Sequence, residues 1–244
     1  MPSLTCFKVR FTPSWLMIVL AALFISLFIR LGFWQIQRAD EKRLMVAAEI
    51  AQAKQEPVDW DGALPLPQQY QRIRLTGHYL ADVFLFDNQH HQHQFGYDVL
   101  SPLLLSNGAV VMVDRGWVLG DGMRRAFPDI KIPKGLVELH GSAYYPSQNQ
   151  WLLGPGVEEK ENKLTILERL DVKLLGSILQ KKTYPFIMRL DQQDADGFVR
   201  EWAIVSMPAQ RHLAYALQWF VMALVILIIF IALNLKKQDE EQNN

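Results

Sequence analysis

Three neighbouring histidines, His90, His91 and His93, are residues whose type and spacing suggest chemistry. Imidazole nitrogens bind copper and zinc, and residues two apart on a strand share a face. However, the group follows a predicted strand, Val83–Asp87, in a connection rich in Gln and Asn, and no cysteine or close pair of carboxylates accompanies it. We therefore favour an exposed polar loop over a metal site.

A second candidate is the run Asp114-Arg115-Gly116-Trp117, with Asp98 as a further acid. It is either structural, with a glycine kink, an Arg–Asp pair and a tryptophan covering the end of the core, or an anion-binding or docking corner; we favour the structural interpretation. The same acids are a weak acid–base set, and the sequence has no G-x-S-x-G nucleophile motif. The single cysteine, Cys6, excludes an intramolecular disulfide and a thiolate cluster. These observations argue against an enzyme.

Two long apolar runs must position these residues relative to a membrane. Leu213–Leu235 carries no charge before Lys236, and about 20 such residues cross a bilayer as a helix. Trp15–Ile29 is interrupted by Arg30 but stays apolar to Ile36. Because no small-residue cleavage site follows it, we favour an uncleaved signal anchor over a cleaved signal peptide. We therefore predict spans at 15–36 and 212–235, tails at 1–14 and 236–244, and a domain at 37–211.

The positive charges near the spans predict their orientation. Lys8 and Arg10 precede the first span and Lys236 and Lys237 follow the second, and such residues stay cytoplasmic. Both termini are then cytoplasmic, and the domain is periplasmic in a bacterial inner membrane or faces the intermembrane space of a mitochondrion. We expect a multi-pass bacterial inner-membrane protein in contact with membrane lipids. With a net charge of +0 and no basic stripe, it has no feature of a nucleic-acid-binding protein.

The domain between the spans has the pattern of a β-rich fold. Ala39–Ala53 consists of good helix formers and predicts that the first span continues as a helix. Asn107-Gly108 between apolar runs predicts a type I′ hairpin, and Asn162–Gln180 has helical spacing of its leucines. We therefore predict an α+β membrane protein whose two transmembrane helices flank an antiparallel β-rich domain, a small barrel or a sandwich, with one helix. The predicted strands are Tyr70–Thr76, Val83–Asp87, Tyr97–Leu105, Ala109–Val118, Leu136–Ala143 and Pro185–Leu190, with Glu201–Val205 as a possible last one.

A third group of candidates lies where the outer ends of antiparallel spans would meet. His212, Tyr215 and Trp219 fall on one helical stripe, and an ionisable residue at the edge of a span is a site hypothesis. Imidazole is a common axial ligand of haem iron, and arginine pairs with carboxylates such as haem propionates. The alternative, which these residues alone favour, is an interfacial belt that anchors the helix ends. The further members of the group are Trp34, Arg38 and Arg211.

Three motifs in order give the sequence a resemblance to a known family. Leu31-Gly-Phe-Trp-Gln-Ile-Gln-Arg38, followed by Lys42, is similar to the L-G-x-W-Q-x-x-R-x-x-x-K signature of the Surf-one (surfeit locus protein 1) family. Arg115-Gly-Trp117 resembles its RGW element, and His212-Leu-Ala-Tyr-Ala-Leu-Gln-Trp-Phe220 its H-L-x-Y-A-x-x-W-F element. The sequence departs from the pattern at Asp114 and Arg211, where asparagine is common.

The resemblance implies an assembly factor for haem–copper cytochrome c oxidase that acts when haem A is delivered to subunit I. Its partners would be oxidase subunit I and haem A synthase. The family's proposed haem ligand corresponds to His212, with Trp34, Arg38, Arg211, Tyr215 and Trp219 around it. A scaffold that stabilises assembly intermediates without binding haem explains the same motifs, and so the sequence leaves both functions open.

Overall fold

A computed structural model describes residues 4–6, 9–62, 65–146, 156–159, 163–202 and 207–237. The chain divides into two compact units, one formed by residues 1–47 with 204–244 and the other by residues 48–203. The elements in chain order are β1 (Leu4–Cys6), β2 (Val9–Phe11), α1 (Trp15–Ala53), β3 (Val58–Asp59), β4 (Arg72–Tyr79), β5 (Val83–His91), β6 (Gln94–Leu104), β7 (Val110–Leu119), β8 (Leu136–Tyr144), β9 (Val157–Glu159), β10 (Leu164–Leu167), α2 (Val172–Leu179), β11 (Thr183–Leu190), α3 (Ala209–Asn234) and β12 (Leu235–Lys237).

The first unit is a pair of long apolar helices with a small sheet. Both α1, with 39 residues, and α3, with 26, are long and apolar enough to cross a membrane. The prediction that the first helix continues through Ala39–Ala53 is confirmed, because α1 runs without interruption past Arg30 to Ala53. Strand β2 pairs with both β1 and β12 in a three-stranded antiparallel sheet.

Small side chains let the two helices approach closely. Ala216 and Ala223 of α3 are buried, as is Gly32 of α1. The Phe220 ring fills the space above Gly32, where an added Cβ would lie 2.6 Å from it. Phe33 packs edge-on against the same ring at 5.5 Å between centroids. Close packing through small residues is typical of helices in membranes.

The second unit contains a nine-stranded mixed sheet in the order β3-β4-β8-β11-β7-β6-β5-β10-β9. Strand β4 also pairs with β6, through His78 with Leu104 and Tyr79 with Leu103. The prediction of an antiparallel sheet is wrong in part, because β3, β10 and β11 pair in parallel with β4, β5 and β7. Strand β11 enters parallel to β7 because helix α2 returns the chain across the sheet before it.

Helix α2 covers one of the apolar clusters of this sheet. Asp171 caps its N-terminus by accepting hydrogen bonds from the backbone N–H groups of Lys173 and Leu174. Its buried residues Val172 and Leu175 pack with a cluster that includes Phe84, Leu100 and Met112. A larger cluster lies among β4, β6, β7, β8 and β11. The sheet therefore has a substantial apolar interior.

The six main strand predictions are confirmed, with ends that differ by a few residues. The predicted helix Asn162–Gln180 is too long, because Leu164–Leu167 is strand β10, paired in parallel with β5, and only Val172–Leu179 is helical. Short apolar runs satisfy both periods, and here a partner strand decides the outcome. Glu201 and Trp202 are not in a strand, and residues 203–205 of the possible last strand lie outside the described residues.

The predicted hairpin at Asn107-Gly108 joins β6 and β7, but its turn type is wrong. Only Gly108 has a positive φ, of 80°, and its N–H donates to the Leu105 carbonyl. A type I′ turn needs positive φ at both central residues. That arrangement occurs instead between β5 and β6, at Gln92 with φ 48° and His93 with φ 65°.

Candidate functional site

His212 lies in the first turns of α3, which begins at Ala209 directly after Pro208. Its imidazole Nδ1 is 2.8 Å from Oε1 of Gln35 on α1. An amide oxygen only accepts hydrogen bonds, so Nδ1 carries the proton and donates it. The other nitrogen, Nε2, is buried and has no hydrogen-bond partner among the described residues.

This arrangement suits metal ligation by His212. A ligating histidine typically donates its second ring N–H to an oxygen acceptor, which fixes the tautomer and the direction of the ring. Gln35 supplies that acceptor and leaves the Nε2 lone pair free. Gln35 was not among the predicted site residues, although it stands within the L-G-F-W-Q run. Its role depends on a contact across 177 positions of the chain, which no local pattern reveals.

The other predicted site residues make contacts elsewhere or are exposed. On α1, Arg38 pairs with Glu41 at 2.7 Å and lies over the Trp34 ring at 5.7 Å. On α3, Trp219 stacks on Phe28 of α1 at 5.7 Å between centroids. Trp34 and Tyr215 are 46% and 43% exposed and Arg211 is exposed. Within the described part of the chain, no hydrogen bond joins any of these side chains to His212.

The His212 imidazole is chemically suited to bind haem iron, but the packing around it leaves no room for a haem. A neutral imidazole with a free Nε2 is a suitable iron ligand. However, Nε2 is not accessible, and the Phe220 ring fills the space beside Gly32 between the two helices. A haem bound to His212 therefore requires a local movement that uncovers Nε2.

The three domain histidines do not converge. His90 and His91 end strand β5, so the predicted loop is wrong for them, and His93 is exposed in the turn. The His91 ring packs against Trp117 at 5.2 Å between centroids and lies 3.6 Å from a Glu201 oxygen. Among the residues that the structure describes, no group of three or more His, Cys, Asp or Glu side chains is arranged for a metal.

Arg115 and Gly116 have structural roles. Arg115 is 2% exposed and donates from Nε and Nη2 to the Asp196 carbonyl, at 2.9 and 2.6 Å, and from Nη1 to the Lys131 carbonyl at 3.1 Å. Gly116 has φ 106°, and an added Cβ would lie 2.5 Å from the Val199 carbonyl oxygen. The predicted Arg–Asp pair is wrong, since Arg115 binds backbone carbonyls and not Asp114.

Asp114 and Trp117 of the same run line a cavity of about 220 Å³ in the sheet unit, together with Asp98. The two acids that the sequence grouped with Arg115 therefore meet a different arginine, Arg189 of β11. Burial raises the pKa of Asp98 to about 6, and Arg189 opposes the rise. Sequence reasoning missed Arg189 because its neighbours come from distant strands.

Comparisons with known proteins agree with the three motifs. The SURF1 family model matches residues 22–224. A SURF1-like protein of Rickettsia conorii is 27% identical over 221 residues, covering 84% of this chain and 86% of the relative. One of Rickettsia felis is 25% identical over 219 residues, covering 84% and 91%. The cytochrome oxidase assembly protein SHY1 of Saccharomyces cerevisiae is 29% identical over 100 residues, covering 36% and 24%. Since the family model spans most of its length, the chain belongs to the SURF1 family.

Proposed function

We propose that this protein is an assembly factor for haem–copper cytochrome c oxidase that assists the delivery or insertion of haem A into subunit I. Family membership supports an assembly role, as does the similarity to a yeast protein named for cytochrome oxidase assembly. Subunit I and haem A synthase are the partners that this function requires. We assign no catalytic step to the protein.

The hydrogen bond between Gln35 and His212 is the observation that carries the haem proposal. Gln35 accepts the Nδ1 proton in a hydrogen bond, and Nε2 keeps a lone pair that no described residue uses. Haem, as cargo, supplies an iron that accepts this lone pair. Arg38 and Arg211 then hold the propionates at headgroup depth, and Trp34, Tyr215 and Trp219 contribute aromatic surface.

The covered position of Nε2 favours transient binding. A site that must open before it binds keeps only a fraction of its molecules competent, which lowers the apparent affinity in proportion. Weak retention suits a protein that passes haem on to a client.

We infer that the domain is periplasmic and both termini are cytoplasmic in a bacterial inner membrane. Two candidate membrane helices, the flanking positive residues and the Rickettsia relatives support this orientation. We also infer that the sheet closes into a small barrel and not a sandwich. The pairing of β4 with β6 supports closure, because it returns the path β4-β8-β11-β7-β6 to its first strand.

The second candidate is a membrane scaffold that stabilises oxidase intermediates without binding haem. Its support is the packing of Phe220 on Gly32 and the buried Nε2, since a solid helix pair needs no ligand. Both candidates use the same partners, and haem binding separates them.

The test is purification of the full chain from cells that make haem A, followed by absorption spectroscopy. We expect haem in the wild-type protein, at least about tenfold less in His212→Ala, and a shifted Soret band in Gln35→Leu, because the axial imidazole loses its orientation. His78→Ala, at an exposed histidine of the sheet unit, is the matched control and should match wild type.

Equal haem in wild type and His212→Ala overturns the ligand assignment. If no variant binds haem while subunit I still copurifies with all of them, the scaffold is the function. If subunit I does not copurify with the wild-type protein, the assembly role itself is contradicted.

A further inference from the structure

Three charged side chains stand in a row across three adjacent strands of the sheet. Arg189 of β11 is in register with Asp114 of β7. Asp98 lies on β6, on the other side of β7, next to a bulge between Asp98 and Leu100. All three line the cavity of about 220 Å³. The strand order β11-β7-β6 therefore brings two acids and one base to a single, partly open pocket, which Glu201, His90 and His91 also line.

These groups leave much of their hydrogen-bonding capacity unused. Oδ1 of Asp114 accepts from the Gly116 N–H at 3.2 Å, whereas Oδ2 and the Asp98 carboxyl bond to no described residue. Nε and Nη1 of Arg189 are buried, and no described residue supplies an acceptor for them. In folded proteins such atoms are satisfied by protein, water, an ion or a ligand, and each exception requires an explanation.

Aromatic rings hold the Arg189 guanidinium in place. Its Cζ lies 3.7 Å from the centroid of the Tyr144 ring and 5.4 Å from that of Trp202. Cation–π contacts stabilise the charge through the face of the guanidinium and use none of its N–H groups. Nε and Nη1 are closed off, so a planar acceptor reaches them only after a local movement uncovers them, as for Nε2 of His212. The arginine is thus fixed without an ion pair to either acid within the described residues.

The acids of the row and Arg189 affect each other's ionisation. Burial raises the pKa of Asp98 to about 6, and burial together with the Asp98 charge raises the pKa of Asp114 well above its usual range, while Arg189 opposes both. Burial therefore disfavours the charged form of both acids, and the guanidinium favours it. The carboxyl group of Glu49, in the same unit, also interacts electrostatically with Arg189.

Ligands of a single charge type match this cavity poorly. An anion has an acceptor for Arg189 but meets two carboxyl groups, and a cation satisfies the carboxyls but leaves the guanidinium donors without a partner. A divalent metal finds no group of three ligands among the described side chains. A ligand that carries both an acceptor and a cationic donor satisfies both sides, and its cationic end also suits Glu201, a third acid that lines the pocket.

We propose that this cavity binds a small zwitterion of the α-amino-acid type with an apolar side chain. The carboxylate of the ligand meets Arg189, and its ammonium group meets Asp98 and Asp114. Apolar walls receive the side chain: Phe86, Trp117, Leu170, Val199 and Trp202. At about 30 Å³ per water, the volume holds about seven water-sized groups, which fits a ligand near the size of leucine.

The test compares three ligands that differ by one group. L-leucine carries both charges, 3-methylbutylamine lacks the carboxylate, and 4-methylpentanoate lacks the ammonium group. Each is titrated into the full chain in detergent and followed by calorimetry and thermal unfolding. We expect leucine to bind and to raise the unfolding temperature, and each half-ligand to bind at least about tenfold more weakly, because one set of charge-assisted hydrogen bonds is lost.

Variants assign each contact. Arg189→Gln should weaken leucine binding about tenfold and should not weaken 3-methylbutylamine binding by a comparable factor, because the amine has no carboxylate for Arg189 to bind. Asp98→Asn should weaken the binding of both ligands. Asp129→Asn, at an exposed acid outside the cavity, is the matched control. Near-ultraviolet circular dichroism checks that each variant is folded.

Three results overturn the proposal: no response to leucine up to its solubility limit, amine binding as tight as leucine binding, or carboxylate binding as tight as leucine binding. The ligand comparison on the wild-type chain remains decisive even if a variant fails to fold. All groups involved belong to the sheet unit, so none of these results bears on His212.

Discussion

Arg115 and Arg189 lie on neighbouring strands of one sheet and use their guanidinium groups in opposite ways. Nε, Nη1 and Nη2 of Arg115 all donate to backbone carbonyls, and its Cζ lies over the Phe198 ring at 5.0 Å. Arg189 has a similar aromatic contact, with Tyr144, but within the described part of the chain its Nε and Nη1 have no acceptor. A fully bonded arginine fixes loops, whereas a partly bonded one beside a cavity leaves capacity for a ligand.

The alternation of a strand explains how one motif contributes to both regions. Successive residues of a strand point to opposite faces. Asp114 therefore lines the cavity with Arg189, and Arg115 bonds Lys131 and Asp196 elsewhere. The run Asp114–Trp117 is neither purely structural nor purely functional. Arg115 fixes two loops through its hydrogen bonds to the Asp196 and Lys131 carbonyls, which we call the loop clamp, whereas Asp114 and Trp117 form part of the wall of a cavity.

The largest effect that tests this comparison is expected at Arg115. Arg115→Gln should lower the free energy of unfolding by about 3–5 kcal/mol, because it leaves buried carbonyls without donors and removes a bonded charge. Denaturant unfolding of the full chain in detergent, followed by tryptophan fluorescence, measures the loss. Arg125→Gln, at an exposed arginine, is the control and should stay within about 0.5 kcal/mol of wild type. A loss at Arg115 as small as the control's would show that the clamp is not structural.

A smaller effect is expected in the pH dependence of stability at Asp98. The folded protein holds the Asp98 proton up to about pH 6, because burial raises the pKa of this carboxyl, and the unfolded chain releases it near pH 4. The folded state then binds more protons between these values, so the free energy of unfolding should rise by about 2 kcal/mol as the pH falls from about 7 to about 4.5.

Asp98→Asn removes this contribution, and the difference between its pH profile and that of wild type isolates it. Asp129→Asn should keep the wild-type profile. If Asp98→Asn also keeps the full rise, the protonation belongs to Asp114 alone, and the balance of charge beside Arg189 must be reassigned.

The sequence predicted those parts of the molecule that depend on local patterns. Apolar runs predicted helices α1 and α3, and alternation predicted the main strands, because these signals lie within a few turns of chain. The parts that the sequence did not predict depend on contacts between residues far apart in the chain. Strand β10 has the apolar spacing of a helix but forms a strand because β5 accepts it as a parallel neighbour.

The two sites differ in the same way. The motif around His212 was visible, but its partner Gln35 became clear only with the helix pair. Arg189 lies in no motif and gains its importance from Asp98 and Asp114, which reach it through the strand order β11-β7-β6. Residues whose function depends on a neighbour far along the chain carry no local signal.

The smallest effect, and the sharpest contrast with Arg115, is expected for the same substitution at Arg189. Arg189→Gln removes donors that have no acceptor among the described residues, together with the cation–π contact with Tyr144. At about pH 5, below the pKa of Asp98, it should therefore lower the free energy of unfolding by only about 1 kcal/mol. At about pH 8 the loss should be larger, because the remaining carboxylate charge no longer has the guanidinium beside it. The same denaturation series at both pH values measures this difference. A large loss at pH 5 would mean that Arg189, like Arg115, stabilises the fold by itself, and the distinction between a loop clamp and a ligand-binding arginine would no longer hold.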